Sequence, residues 1–279
     1  MKKFFLILPV CLLILTSCNF PFFKSPAASP DLVNTMVAQT MQAKSTVIII
    51  TATNQPATPL ATITPSPTTS ITLTATALSE DPSLTLGTAT FSDSFTSASS
   101  GGSAFDLTTP YSDDAVNMSI TNGSLLMSSF RIPSGIRWRL TYPTPRNYYL
   151  EASFKTVSCA GSDYYGLVMR SPSYTDGIGY YLALSCDGKY YFMRFDGSNP
   201  HVLINWTTDP AILSGENQEN RLGVMLQDNH FTFYVNGKKL QQVDDSGITS
   251  KGYFGVFLSS LQDPNMTIQV EQIDEWDQP

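Results

Sequence analysis

Short apolar runs separated by turn dipeptides constrain this chain more than any other feature. From about residue 88 onward these runs are rich in Tyr, Phe, Val, Ile and Leu, and a turn follows about every ten residues. No long segment shows helical periodicity. The turn dipeptides are Asn122-Gly123, Asp187-Gly188, Asp196-Gly197, Asp228-Asn229 and Asn236-Gly237. The pattern predicts an all-β domain, either an antiparallel sandwich or a barrel.

The first residues indicate export. Lys2 and Lys3 precede an apolar run at residues 4–15, which has the length of a signal-peptide core and is too short to span a membrane. The run ends in LTSC at residues 15–18, which resembles the lipobox of bacterial lipoproteins, where cleavage precedes a cysteine that is then acylated. We therefore expect a signal peptide at residues 1–17 and a lipid on Cys18 that holds the protein outside the cytoplasm. An ordinary secretory peptide is the alternative.

A stalk is predicted between the anchor and the folded domain. Residues 45–79 contain no charged residue and consist mainly of Thr, Ala, Ser and Pro, so they cannot bury a core. Residues 29–43 have a cap-like start and apolar residues four apart, which favours a short helix. The predicted organisation is a lipidated N-terminus and disordered linker at residues 18–88, followed by one folded domain at residues 89–279.

The charge of the domain argues against nucleic acid as a partner. The chain has 16 Lys and Arg and 23 Asp and Glu, of which 4 and 3 lie in the first 88 residues. The rest therefore carries 12 basic and 20 acidic residues, a net charge of −8. Binding to nucleic acid rests on neutralising phosphates with clustered basic residues. We expect no such partner.

Two cysteines remain after export. Cys11 is lost with the signal peptide and Cys18 carries lipid, which leaves Cys159 and Cys186 in an oxidising compartment. They are a candidate disulfide, and two buried thiols are the alternative.

Residues 177–197 predict a hairpin with two distinct faces. A two-residue turn at Asp187-Gly188 pairs Cys186 with Lys189 and sets the register. It directs one set of side chains into the core: Tyr180, Leu182, Leu184, Tyr191, Met193 and Phe195. It exposes another set on the opposite face: Tyr181, Ala183, Ser185, Tyr190, Phe192 and Arg194. Rings in a row on an exposed face favour sugar binding, and simple cross-strand packing is the alternative.

Several stretches resemble a known superfamily. FYVNG at residues 233–237 and KGYFGVFL at residues 251–258 are the most specific of them, within a resemblance that covers most of residues 89–279. The chain resembles the concanavalin A-like lectins and glucanases, in particular LamG-like jelly rolls and keto-disaccharide hydrolase-type domains. The resemblance implies a jelly-roll sandwich of two curved antiparallel sheets, in which FSDSF at residues 91–95 lies beside MTIQVEQIDEW at residues 266–276.

The resemblance also implies a partner and a site. Many such domains bind carbohydrate on a sheet face or at the loop rim, a role that falls here to Tyr181, Tyr190, Phe192, Arg194 and Trp206. For Trp206, anchoring a loop onto the sandwich is the alternative. Some hold a structural calcium where the first and last strands meet, a position occupied by Asp93 and Glu271. Calcium usually takes six to eight oxygen ligands, so two acids do not by themselves make a site.

Catalysis has less support in the sequence. Retaining glucanases need two carboxylates that point from one strand into one cleft. The nearest run, EQIDE at residues 271–275, lies in the terminal strand, where it indicates an acidic sheet edge that discourages aggregation. The expected function is therefore a non-catalytic carbohydrate-binding module. A glycoside or keto-sugar hydrolase or lyase of the same fold, and a protein-interaction or structural module, are the alternatives.

Overall fold

The computed structural model describes residues 80–98 and 103–278. These residues form fifteen β-strands and one short 3-10 turn, Pro82–Leu84. No helix in this part of the chain is long and apolar enough to cross a bilayer. The predicted signal peptide, Cys18, the short helix and nearly all of the stalk lie outside the described residues.

The strands form two antiparallel sheets that pack face to face, the jelly-roll sandwich that the sequence predicts. The nine-stranded sheet contains β1 (Phe91–Asp93), β2 (Tyr111–Ser112), β3 (Val116–Thr121), β4 (Ser124–Ser129), β6 (Tyr148–Ser158), β11 (Glu219–Gln227), β12 (His230–Val235), β13 (Lys238–Asp244) and β15 (Thr267–Asp277). The six-stranded sheet contains β5 (Arg137–Thr141), β7 (Tyr164–Ser171), β8 (Gly179–Ser185), β9 (Lys189–Phe195), β10 (Pro200–Thr208) and β14 (Tyr253–Ser259).

The predicted turns close hairpins as expected. Asn122-Gly123 joins β3 to β4 and Asn236-Gly237 joins β12 to β13, with positive φ at all four residues, which is the backbone that type I′ turns need. The turns at Asp228-Asn229 and Asn236-Gly237 connect β11, β12 and β13 into a three-stranded meander. Its inward side chains Phe231, Phe233 and Val235 lie in the core between the sheets.

The first strand pairs with the last, as the resemblance implies: Phe91 lies opposite Glu275 and Asp93 opposite Ile273. The interpretation of residues 271–275 as a sheet edge was wrong. β15 lies inside the nine-stranded sheet, with β6 on one side and β4 and β1 on the other. Pairing on both sides fills the backbone hydrogen bonds that an edge strand would leave open.

The β8–β9 hairpin differs from the prediction by one residue. The loop has three residues, 186–188, and Leu184 lies opposite Tyr190. Ser185 closes the loop, since its carbonyl accepts from Gly188 N–H and its hydroxyl accepts from Lys189 N–H. Because side chains alternate along a strand, this one-residue shift turns every side chain of β9 to the other face.

The packed domain begins before the predicted boundary at residue 89. Pro82 is buried, and Arg221 on β11 forms an ion pair with Asp81. The indole Nε1–H of Trp276 donates to the carbonyl of Gly87 at 3.0 Å. The chain therefore enters the domain across the outer surface of the nine-stranded sheet, on the side away from the six-stranded sheet.

Candidate functional site

Two of the predicted ligand residues are core residues. Tyr190 and Phe192 lie on the inward side of β9, and the Phe192 ring packs against Phe231 and Phe233 from the other sheet at centroid distances of 5.1 and 4.6 Å. The Tyr190 hydroxyl donates to Gln241 Oε1 at 2.8 Å. The prediction that these two rings are exposed was wrong, because it used the two-residue turn.

Arg194 is also on the inward side, where it has a structural role. Its Nε–H donates to Asp245 Oδ1 at 2.9 Å, and the Asp245 carboxylate also accepts from the Tyr180 hydroxyl. Burial favours the neutral acid, but the bonds from Tyr180 and Gly247 and the charge of Arg194 keep the pKa of Asp245 below its ordinary value. This group ties the chain after β13 to the six-stranded sheet.

Tyr181 points to the outer face, as predicted, but it is only 2% exposed. Its hydroxyl donates to the carbonyl of Gly177 at 2.5 Å, so the loop between β7 and β8 covers it. Burial raises the pKa of Tyr181 above its ordinary value. Tyr181 therefore packs under a loop and offers no open ring to a ligand.

The outer face of the six-stranded sheet carries a second apolar cluster, separate from the core. We call this cluster the aromatic face. β9 contributes the residues that the sequence analysis placed in the core. The cluster contains Ile136, Trp138, Leu140, Tyr164, Val168, Tyr181, Ala183, Tyr191, Met193, Phe195, Tyr253 and Phe257. Six of these side chains are buried, namely Leu140, Val168, Tyr181, Ala183, Met193 and Phe257, and the other six are partly exposed. The partly exposed rings make this face a candidate ligand site.

At one edge of the aromatic face, Trp206 lies flat on Tyr191. The ring centroids are 4.8 Å apart and the planes differ by 21°. Tyr164 contacts the Trp206 ring edge-on, with centroids 5.4 Å apart. Trp206 is 40% exposed although its ring is held on two sides. We call these three residues the Trp206 platform; of the predicted ligand residues, Trp206 is the one that presents an open ring on this face.

A depression of about 310 Å³ on the same face is lined by residues from the β5 end of the sheet to the β10 end. We call it the Trp138 depression. Its lining residues are Ile136, Trp138, Asp176, Gly177, Tyr181, Met193, Phe195 and Pro200. The polar atoms of its two largest rings are already bonded. Trp138 Nε1–H donates to the carbonyl of Tyr174 at 3.0 Å, and the Tyr181 hydroxyl donates to Gly177. The surface that faces the depression is therefore mainly carbon.

Two further depressions, with volumes of about 370 and 430 Å³, are also lined by Trp138. Both are lined by Arg139 and Tyr174, and the Tyr174 ring stacks on Tyr253 with centroids 4.1 Å apart. Tyr142, which lines the first of them, is exposed. These depressions give the apolar face a rim of hydroxyl and guanidinium groups.

The structure does not support a calcium site at Asp93 and Glu271. The Asp93 carboxylate accepts from Phe95 N–H, Ala104 N–H and the Ser103 hydroxyl, each at 2.8 Å, and so closes its own loop. Glu271 is exposed and lines a different depression. Among residues 80–98 and 103–278, no three His, Cys, Asp or Glu side chains are grouped to hold a metal.

The acidic run of β15 divides between two environments. The pairing with β6 is irregular between Val270 and Gln272, so Glu271 and Glu275 do not share a face as a regular strand would require. Glu271 is exposed, whereas Glu275 is completely buried between the sheets. These two carboxylates do not form a catalytic pair.

Cys159 and Cys186 are joined by a disulfide, the pair that the sequence singles out, with their Cα atoms 5.4 Å apart. Cys186 N–H also donates to the carbonyl of Asp163 at 2.8 Å. The bond therefore fixes the three-residue loop of the β8–β9 hairpin against the chain before β7.

Sequence reasoning missed Trp138, Tyr191 and Tyr164. Alternation alone would have placed Tyr191 on the face of Tyr181 if the loop had been taken as three residues. Trp138 alternates with Arg137 and Arg139 in RWRL, but the sequence does not say which sheet this strand joins.

No protein-family model matches this chain, and no curated protein matches its sequence. A solved protein of unknown function with a galectin-like fold from Bacillus subtilis is similar in structure, with a TM-score of 0.51 at 12% identity, over 69% of this chain and 98% of that one. A carbohydrate-binding module, CBM66 from Bacillus subtilis, gives a TM-score of 0.39 at 15% identity over 59% and 90% of the two chains. The exoplasmic/lumenal domain of VIP36, in a Ca²⁺/Man3GlcNAc-bound form, gives 0.40 at 12% identity over 61% and 83%. The first likeness agrees with the predicted jelly-roll sandwich and shows the fold alone.

Proposed function

We propose that this chain is a lipid-anchored, extracytoplasmic module that binds carbohydrate, without catalysis, on the aromatic face. One observation carries the proposal: Trp206 is exposed while Tyr191 and Tyr164 hold its ring in place. A ring fixed in this way loses little conformational entropy when a ligand covers it. Its negative π cloud attracts the C–H face of a sugar ring.

The rest of the face suits a sugar polymer. A chain of sugar rings offers alternating apolar faces and hydroxyl groups, and the aromatic face supplies carbon surface at the platform. Arg139, Tyr142 and Tyr174 supply polar atoms at the β5 rim. Pockets with mostly apolar walls and a few placed polar groups are the usual form of small-molecule sites.

The first described residues do not cover the aromatic face. The segment from Asp81 to Gly87 crosses the outer surface of the nine-stranded sheet, and the aromatic face is on the opposite side of the sandwich. This segment therefore leaves the proposed site free.

Replacing Trp206 by Ala is expected to weaken binding to the recognised polysaccharide at least tenfold, a loss of about 1.4 kcal/mol. The measurement is affinity electrophoresis of the full chain in nonionic detergent against a panel of soluble polysaccharides. Phe130→Ala removes an exposed ring on the nine-stranded sheet and is the matched control. If no polymer retards the wild-type chain, or if Trp206→Ala binds as well as the control, the proposal fails and protein partners become the next class to test.

The anchor has a separate test. Replacing Cys18 by Ala is expected to abolish incorporation of labelled fatty acid and to release the protein from membranes, because the acylated thiol is then missing. Cys11→Ala, within the signal sequence, is the control and should label normally. Labelling that persists in Cys18→Ala would refute the anchor.

A further inference from the structure

The Trp138 depression and the Trp206 platform share β9. Tyr191 belongs to the platform and Met193 lines the depression, and both point outward from the same strand. Residues two apart on a strand are separated by roughly 7 Å, which is about the size of one sugar ring. Tyr191, on which Trp206 lies, is therefore about one sugar ring from Met193, and a substituent that points along β9 from a sugar ring on the platform is directed toward the depression.

The depression is unsuited to bare hydroxyl groups. The indole N–H of Trp138 and the hydroxyl of Tyr181 are bonded to carbonyls of the β7–β8 loop. In the described residues, Asp176 is the one charged side chain in the lining, and its Oδ1 accepts from Ile178 N–H. A hydroxyl that enters loses its bonds to water and finds few partners, which is unfavourable. A small apolar group loses nothing and gains contact with Ile136, Met193 and Phe195.

We propose that the glycan bound on the aromatic face carries an acetyl substituent, and that the acetyl methyl enters the Trp138 depression. This inference rests on the proposed function and names the substrate class of the same site. The shared chemistry is the acetyl group, which a polymer can carry on nitrogen or on oxygen. Two contacts then fix the orientation of the sugar. Its ring lies on Trp206, and its acetyl group contacts Met193.

The test compares matched polymers that differ in acetylation. N-acetylchitohexaose is compared with chitohexaose, and O-acetylated xylan with the same xylan after mild alkaline deacetylation. The first pair is measured at about 0.5 M salt, where the positive charge of chitohexaose is largely screened from the acidic domain. We expect the full chain to bind at least one acetylated member about tenfold more tightly than its partner, the range that one small apolar group gives in an apolar pocket. The pair that shows the difference identifies the linkage.

Met193→Gln keeps the length of the side chain and places an amide in the depression. We expect it to reduce the acetyl preference to less than threefold, because the acetylated polymer loses more affinity than the deacetylated one. Leu84→Gln, at an exposed position of the 3-10 turn beside the nine-stranded sheet, is the control and should retain the full preference. In spectra of methyl-labelled methionine, the Met193 resonance, assigned from its loss in Met193→Gln, should shift with the acetylated polymer only.

The outcomes separate the two proposals. Equal binding of both members of each pair, lost in Trp206→Ala, would overturn the acetyl inference and keep carbohydrate binding. An acetyl preference that survives in Met193→Gln without a shift of the Met193 methyl would overturn the placement in the depression. If neither the pairs nor the wider polysaccharide panel bind the wild-type chain, both proposals fail.

Discussion

Replacing Glu275 by Gln is expected to raise the free energy of unfolding by about 5 kcal/mol at pH 9 and to leave it nearly unchanged at pH 4. Glu275 lies between the sheets opposite Phe91 and Leu150 and is 0% exposed. Neither carboxyl oxygen has a hydrogen-bond partner within the described residues. Burial, with the neighbouring Asp277 carboxylate, raises the pKa of Glu275 to about 8.

The direction of the pH dependence follows from the pKa of Glu275 in the unfolded and folded protein. In the unfolded chain the pKa of Glu275 is near 4.5, and in the folded protein it is about 8. The contribution to stability is therefore fully present below pH 4.5, falls as the pH rises, and is lost above pH 8. Gln keeps the shape of the side chain and cannot ionise, so it avoids the charged state that the core disfavours.

Denaturant unfolding of the wild-type chain, Glu275→Gln and Glu271→Gln at pH 4, 7 and 9 provides the measurement. Other titrating groups are common to the three proteins, so only the differences between them matter. Glu271 is an exposed residue of the same strand and should behave as wild type. A Glu275→Gln variant whose stability follows the wild-type pH profile would contradict a buried, ionisable Glu275.

Removing the Cys159–Cys186 bond is expected to cost roughly 3–4 kcal/mol of stability. The two cysteines are 27 residues apart, and the bond restricts the unfolded chain over that length. The bond also holds the three-residue loop at residues 186–188, which we call the Cys186 loop and which sets the register of β8 and β9. Loss of the bond therefore also loosens the hairpin that carries Tyr191 and Met193.

The double variant Cys159→Ala/Cys186→Ala is compared with oxidised and with reduced wild-type protein by thermal unfolding. We expect the variant and the reduced protein to unfold at a similar temperature, below that of the oxidised protein. A thiol count on unreduced protein adds an independent reading. Free thiols at both positions, or equal stability of all three samples, would show that the pair does not stabilise the fold.

The fold was readable from the sequence because its signals are local. Asn-Gly at residues 122–123 and 236–237 provides the positive φ of type I′ turns, and each dipeptide joins two consecutive strands. In β12, Phe231 and Phe233 face the core and Thr232 lies between them on the other face, the alternation expected of a strand that follows a correctly placed turn. The pairing of first and last strands came from the family resemblance, since no local signal specifies it.

The candidate site was readable only in part because it depends on register. A turn of two residues and a loop of three both suit SCDGK at residues 185–189, yet they place opposite sides of β9 on the outer face. The prediction therefore chose Tyr190 and Phe192 where the fold presents Tyr191 and Met193. Trp206 was selected as a candidate ligand residue for its residue type, and that choice did not depend on the register of β8 and β9.

The sequence by itself determined that the domain is all-β, since turn residues and alternating apolar runs act over a few neighbouring positions. Only the tertiary structure decided which side chains of β9 face outward and which aromatic rings of the outer face are covered. The Cys186 loop fixes the face of β9, the β7–β8 loop covers Tyr181, and β10 brings Trp206 onto Tyr191. These outcomes depend on contacts between segments distant in sequence, and local sequence patterns do not predict such contacts.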